Sequence, residues 1–439
     1  LEDSVVSLTL KRLAAASLAA ALALSLAACG KGGNTSSDSG TDANGTATIK
    51  MWTHNAGNEA ELGAITAIVS DYNASQTKYK VDVQAFPQDS YNTSVTAAAS
   101  SKTLPCILDI DGPNVPNWAW AGYLAPLTGL DDTLSKFLPS TVGTYQGKPY
   151  SAGFYDVALA MYARKSVLEQ NNIRIPTIDQ PWTGEEFNAA LATLKATGQW
   201  TNPLDMATAN TGEWWPYAYS PFLQSFGGDL IDRTTYESAD GVLNGADALK
   251  WATWFRGLVD QGYMAAKSGT DAGADFLNGK SAIVWNGSWG AEAARAKLGD
   301  DIAFLPPPDF GNGPKIGGAS WQWGMSATCN NPEGALDYLK FSLQDKYVAA
   351  VSTATGTIPA TDAAAALVKG YEAGGADDIF RQYSKKFAEV RPQTPGYPFI
   401  ATTFTKAAQD ILNGADPQGA LDQAVSDIDA NQKSNNNFQ

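Results

Sequence analysis

The sequence predicts an α/β protein built as two lobes. Apolar runs with the two-residue period of strands alternate with runs of helical period along the chain, and that alternation defines the class. At 439 residues the chain is longer than one core serves, since single cores stop growing at about 250 to 300 residues. Its first three elements read as strand, helix and strand, the opening of a sheet with crossover helices.

Residues 46–52 alternate as a short strand that ends in the polar loop Thr53-His54-Asn55-Ala56-Gly57. Leu62, Ile65, Val69 and Tyr72 then recur at helical spacing, and Val81-Asp82-Val83 returns as a strand. Pro105-Cys106-Ile107-Leu108-Asp109-Ile110 is another apolar run, emptying into Asp111-Gly112-Pro113-Asn114. Ligands of open α/β sheets bind beyond the carboxyl ends of the strands, where both loops lie. His54, Asn55, Asp111 and Asn114 are therefore candidate ligand-facing side chains. Asp111 before Gly-Pro is equally a turn residue, and His54 equally a loop histidine.

Three helix starts are legible. Thr183 and Glu186 form a capping-box pattern, with Trp182 and Phe187 placed to staple across it. Asn331-Pro332-Glu333 and Asp416-Pro417 each put a capping side chain before a proline at the first helical position. Trp251, Trp254 and Leu258 repeat at helical spacing and read as core.

The amino-terminal part has a different logic. Lys11-Arg12, an apolar run over residues 13–26 and Leu26-Ala27-Ala28-Cys29 are the parts of a bacterial lipoprotein signal. A spanning helix needs about 20 apolar residues, more than this run offers, so lipid on Cys29 would tether the chain rather than thread it. Residues 30–45 are almost all Gly, Ser, Thr, Asn and Asp with no large apolar side chain, the composition of a flexible leash. Residues 1–10 fit no part of a signal and lack an initiator Met, which points to a start further upstream.

A net charge of −15 repels phosphate backbones and excludes nucleic acid as a partner. Besides Cys29 only Cys106 and Cys329 remain; they are expected to pack as small apolar residues, with one disulfide as the alternative. A single histidine leaves no imidazole or thiolate metal site, and no cofactor is expected; an oxygen-only calcium site stays open. The 13 tryptophans mean heavy cores or flat platforms for sugar rings, and their position at element ends favours platforms for some of them.

Several segments together resemble the extracellular solute-binding proteins of the sugar-specific, maltodextrin-binding-like class that serve ABC importers. The resemblance runs from Thr46 to Ile428. It is carried by Lys50-Met51-Trp52, Leu108-Asp109-Ile110-Asp111-Gly112-Pro113, Tyr150-Ser151-Ala152-Gly153-Phe154-Tyr155-Asp156, Ser225-Phe226-Gly227-Gly228-Asp229, Asn286-Gly287-Ser288-Trp289 and Gly356-Thr357-Ile358-Pro359. Met161-Tyr162-Ala163-Arg164-Lys165 departs from the usual Tyr-Asn-Lys, and Cys106 stands where Asp is common.

The resemblance implies a periplasmic-binding-protein-like fold of the class II type, with three hinge crossings near Asp156, residues 318–320 and residues 356–359. The expected organisation is a signal peptide (1–28), a tether (29–45), a first lobe (46–155 with 320–356) and a second lobe (157–318 with 358–433). It also implies ligand contacts from Asp156 at the hinge, for which a capping role is the rival, from Glu213 with Trp214 or Trp215, from Asn286 and Trp289, and from Tyr397. Trp321 and Trp323 alternate on a predicted strand and share one face, which is either cleft or core, with Trp321, nearer the hinge, the better candidate. Sugars need planar aromatics for their C–H faces and polar side chains for their hydroxyls, and these residues supply both.

The implied protein is a monomer that captures neutral oligosaccharides, best α-galactosides or α-glucosides such as raffinose or isomaltooligosaccharides, and delivers them to permease subunits. It touches the membrane through its lipid alone. A secreted glycoside hydrolase and a glycan-binding adhesin are the alternatives. The hydrolase needs two carboxylates roughly 5 to 10 Å apart across one glycosidic bond, and Gly287-Ser288-Trp289-Gly290 lacks the glycine two residues before serine of a nucleophile elbow.

Overall fold

The computed structural model describes residues 45–318 and 320–438. The signal, Cys29 and the tether up to residue 44 lie outside the described residues.

Strands β1 (Ala47–Thr53), β2 (Tyr79–Ala85) and β3 (Ile107–Asp111) are linked by helices Glu59–Ser75 and Gln88–Ser101, and β1 pairs in parallel with both neighbours. Ile65, Val69 and Tyr72 are on the buried face of the first helix, and Asn58 accepts a hydrogen bond from the Glu61 amide to start it. Next come β4 (Leu124–Ala125), β5 (Val142–Tyr145), β6 (Lys148–Ala152), β7 (Tyr155–Asp156) and β8 (Leu159–Arg164). They are followed by β9 (Leu204–Asp205), β10 (Ile283–Gly287), β11 (Ile302–Leu305) and β12 (Ile316–Gly318). The last are β13 (Trp321–Ser326), β14 (Ile358–Pro359) and β15 (Ala388–Val390).

Two sheets organise the lobes. One has seven strands in the order β2-β1-β3-β13-β6-β5, with β4 on β13; the other has four, in the order β11-β8-β10-β9. The chain leaves the larger sheet after β6, enters the smaller at β8, and returns to the larger as β13. Helices Pro332–Ser342 and Asp345–Thr355 then pack on helix Glu59–Ser75, and helix Asp378–Phe387 goes back to β8 and β12. Two-stranded pairs mark these three crossings: β7 with β14, and β12 with β15.

The expected helix starts are present. Thr183 Oγ1 accepts from the Glu186 amide at 3.1 Å, while Glu186 accepts from the Thr183 amide at 2.9 Å, and the Trp182 and Phe187 rings meet at 6.0 Å. Asn331 and Asp416 cap helices Pro332–Ser342 and Pro417–Ser434. Trp251 and Leu258 are buried, with Trp254 partly so.

The cysteines correct the reading of separate apolar side chains: Cys106 and Cys329 form a disulfide. They lie just outside adjoining ends of antiparallel neighbours β3 and β13, where Met325 faces Ile107. Pairing of β3 with β13 brings together two cysteines 223 residues apart in sequence, and spacing alone does not reveal it. Among the described residues no helix is long and apolar enough to cross a membrane.

Candidate functional site

The wall on the larger sheet starts from register. β13 runs antiparallel to β3 with Trp321 opposite Asp111 and Trp323 opposite Asp109, and the two-residue period puts all four on one face. Trp323, further inside the sheet, is packed beside Phe154 in the core, whereas Trp321 at the strand's end is only half-buried. The imidazole of His54 lies parallel to Trp321, ring centres 3.6 Å apart, and the Tyr91 ring meets Trp321 edge-on.

His54 is itself only 4% exposed. Its Nδ1 is 2.6 Å from Asp109 Oδ2, Nε2 is 3.1 Å from Asn55 Nδ2 and 3.9 Å from Glu61 Oε2, and Tyr155 on β7 donates to Glu61 Oε1 at 2.7 Å. Burial pushes the imidazole pKa down, but the charge and hydrogen bond of Asp109, with Glu61 and Asp111, outweigh it and hold it above its ordinary value. Burial raises the Glu61 carboxyl, opposed by His54.

The facing wall belongs to the smaller sheet and its helices. Helix Trp214–Phe226 follows Glu213, and its first residue is half-buried. Trp289, in the turn after β10, is 42% exposed, and its ring lies flat on Gly287, where any Cβ would sit within about 2 Å of the ring. The rings form a strip: Trp289 to Trp214 at 6.4 Å, Trp214 to Tyr217 at 6.1 Å, and the Arg391 guanidinium 5.3 Å from the Tyr217 ring.

Arg391, just past β15, joins the two walls. Its Nη1 and Nη2 donate to Asp111 at 3.3 and 3.1 Å, and Nη1 also donates to Glu213 Oε2 at 2.8 Å. The Tyr397 hydroxyl donates to the same Glu213 oxygen at 2.5 Å. Burial lowers the guanidinium pKa, but Asp111, Tyr397 and Glu213 more than compensate, so it stays charged; burial raises Glu213, opposed by Arg391. Around this cluster, Arg391 Nε, the Tyr217 hydroxyl and Asn114 Nδ2 are buried donors without a hydrogen-bond partner among the described residues. A buried donor left unbonded is costly, so these atoms call for acceptor oxygens.

The structure sorts the expected residues. Trp321, Asp111, Glu213, Trp214 and Trp289 fall along one continuous line from sheet to sheet, with Asn114 three residues beyond Asp111 and half-buried Asn286 beside the Trp289 turn. Four expected ligand contacts are corrected to interior positions. Trp215 is buried with its indole N–H on the Asn210 carbonyl, and Trp323 is core. Tyr397 is buried and spends its hydroxyl on Glu213. Asp156 is wholly buried and accepts from Ser140 at 2.8 Å, Ser384 at 2.6 Å and the Val157 amide at 2.9 Å, so it ties the hinge. His54 and Asn55, expected at the ligand, form a buried layer behind Trp321.

Sequence reasoning missed Arg391, Tyr217, Asp109 and Glu61 as parts of this site. Asp109 was open to detection, being two residues from Asp111 on one strand. The others are assembled by tertiary contacts. An open depression of about 400 Å³ flanked by Trp200, Asp205, Lys267 and Lys280 lies by β9, and none of its lining residues belongs to the strip. Among the described residues no group of three His, Cys, Asp or Glu side chains could hold a metal ion.

Two lobes that meet along a line of aromatic, acidic and unpartnered donor groups define a two-lobed binding protein. The chain belongs to the bacterial extracellular solute-binding proteins, whose family profile matches residues 67–377. It is similar to the diacetylchitobiose-binding protein DasA of Streptomyces coelicolor, 24% identical over 384 residues, covering 83% of this chain and 86% of that one. A galactooligosaccharide-binding protein of Bacillus subtilis is 23% identical over 421 residues, covering 93% and 94%. The same fold occurs in the GacH receptor of Streptomyces glaucescens, solved unliganded and with acarbose, at a TM-score of 0.73 and 21% identity over 88% of this chain and 97% of that one. These relatives are binding proteins rather than enzymes.

Proposed function

We propose that this protein captures neutral oligosaccharides for an ABC importer, anchored outside the cell membrane by lipid on Cys29, and that its lobes close over the ligand. The lobes are residues 46–155 with 320–356 and residues 157–318 with 358–433, turning about the β7–β14 and β12–β15 pairs. The line from Trp321 through Asp111, Arg391 and Tyr217 to Trp214 and Trp289 carries this reading, because it alternates flat apolar faces with hydrogen-bonding groups as a chain of sugar rings requires. The names of the relatives, which bind diacetylchitobiose and galactooligosaccharides, support the class of ligand. Raffinose and isomaltooligosaccharides head the ligands to test.

Calorimetry over raffinose, isomaltotriose, maltotriose, galactobiose and N,N′-diacetylchitobiose tests the class, with X-ray scattering of the free and loaded protein alongside. Saturable one-to-one binding of at least one neutral sugar and a smaller radius of gyration on loading are the expected results. Binding without contraction replaces the closing importer component with a rigid adhesin, and release of reducing ends points to the hydrolase. A panel with no binding at all removes the sugar reading.

A further inference from the structure

We infer that Arg391 is the specificity-determining residue for ligand charge, admitting neutral sugars and excluding both ammonium-bearing and carboxylate-bearing ones. The inference rests on the sugar reading above and deepens it. Asp111 comes from the end of β3 and Glu213 from the start of helix Trp214–Phe226, so two acidic side chains from opposite walls converge on one point. A buried carboxylate, Asp111, with the half-buried Glu213 beside it attracts a cation unless one of the protein's own fills the gap. Arg391, 4% exposed, does so: its fork closes on both oxygens of Asp111, and Nη1 also serves Glu213.

The one guanidinium is thereby shared by two carboxylates within the protein. An ammonium finds its two carboxylates already paired, and displacing the guanidinium leaves that group buried and unbonded. A carboxylate finds the planar fork of Arg391 occupied, because Nη1 and Nη2 both face Asp111. What the triad leaves free are single donors rather than a fork: Arg391 Nε–H within the triad, the hydroxyl of Tyr217, whose ring centre is 5.3 Å from the guanidinium, and Asn114 Nδ2 three residues beyond Asp111. Each takes an acceptor oxygen, and sugar hydroxyls and acetamido carbonyls provide it without a charge. Lys at this position keeps the charge but not the fork.

The experiment uses the full mature protein and two matched probes, the glucosamine trimer and its N-acetylated counterpart, titrated at pH 6 where the amines are protonated. Arg391→Met is expected to gain at least tenfold in affinity for the glucosamine trimer over wild type, with no gain for the acetylated trimer. Arg391→Lys should show no such gain, and Asp111→Asn added to Arg391→Met should abolish it. The opposite variant, Asp111→Asn with Glu213→Gln, leaves the guanidinium unneutralised and should gain for trigalacturonate by a similar factor. It decides the matter if Arg391→Met does not fold. An unchanged preference between charged and neutral probes in the folded variants overturns the inference. Loss of the sugar reading is seen separately, as wild type binding none of the neutral panel.

Discussion

Replacing Trp289 by alanine is the sharpest test of the aromatic strip. A tryptophan side chain buries up to about 250 Å²; Trp289 is 42% exposed, so roughly 100 Å² of it is free to be covered. At about 25 cal/mol per Å², complete coverage is worth about 2.5 kcal/mol, and a sugar ring on one face about 1 to 2 kcal/mol. Affinity should therefore fall about 5- to 30-fold. Stability should change little, since the ring rests on Gly287 and the Trp214 edge rather than inside the core.

Trp215→Ala is the control. Its side chain is buried, donates to the Asn210 carbonyl at 2.8 Å and packs edge-on against Tyr219 at 5.0 Å, so its loss should cost about 3 to 5 kcal/mol of stability. Affinity per folded molecule should stay the same. Calorimetry with the best ligand of the neutral panel reads affinity, and guanidinium unfolding reads stability. If Trp289→Ala binds like wild type while Trp215→Ala melts like wild type and loses affinity, the strip is misplaced.

Three further outcomes are expected. Replacing Cys106 and Cys329 by serine together opens a loop with a sequence separation of 223, for which chain entropy gives an upper value of about 5 kcal/mol; a change in unfolding free energy below about 1 kcal/mol removes the disulfide from the stability of this lobe. His54 and Glu61 both bind their proton more tightly folded than unfolded. Their contribution is therefore present at low pH and is lost as pH rises, for Glu61 from its ordinary value upward and for His54 from about 6.5 upward. Each group gives a slope of at most about 1.4 kcal/mol per pH unit, and denaturation between pH 6 and 9 should flatten in His54→Gln; an unchanged slope there sinks the assignment to this single histidine. Cys29→Ser should move the protein from membrane to medium without changing its sugar affinity in solution, and a variant that stays with the membrane contradicts lipid anchoring.

The sequence signals that succeeded are local ones. The capping box at Thr183 and the Asn331-Pro332 and Asp416-Pro417 starts depend on residues a few positions apart, and the helices begin where those signals place them. Tryptophan was harder to read, because its chemistry suits both a core and a sugar face. Trp321 and Trp323 share one face of β13, yet two residues along the strand separate a half-buried ring from a core one. Trp214 and Trp215 are neighbours on a helix and both touch Tyr219, yet tertiary packing buries Trp215 and leaves Trp214 half-buried. Asp156 is placed at the ligand by the resemblance alone; Ser140 and Ser384, 16 and 228 residues away in sequence, donate to its carboxylate instead. Arg391 was hidden for the same reason. A lone arginine in a proline-rich loop carries no local sign that it ends between Asp111 and Glu213.

The two walls differ in chemistry, and that difference predicts how the ligand is held. Trp289, Trp214 and Tyr217 on the smaller-sheet side offer non-directional apolar contact that a sugar can use with the lobes apart. If the lobes close as proposed, Asp111 acts only once its wall has come up to Arg391, since the bonds it makes in this structure are with the opposite wall. First contact should therefore be independent of Asp111, and retention should depend on it. Asp111→Asn keeps the shape but weakens the charge-assisted bonds, at a cost of about 1.5 to 3 kcal/mol in affinity, or roughly 10- to 150-fold. In stopped-flow tryptophan fluorescence this loss should appear almost wholly as faster dissociation, with the association rate within a factor of two or so of wild type. An association rate that falls by the full loss in affinity, with dissociation unchanged, would place Asp111 in the encounter and reverse the assigned order of the two walls.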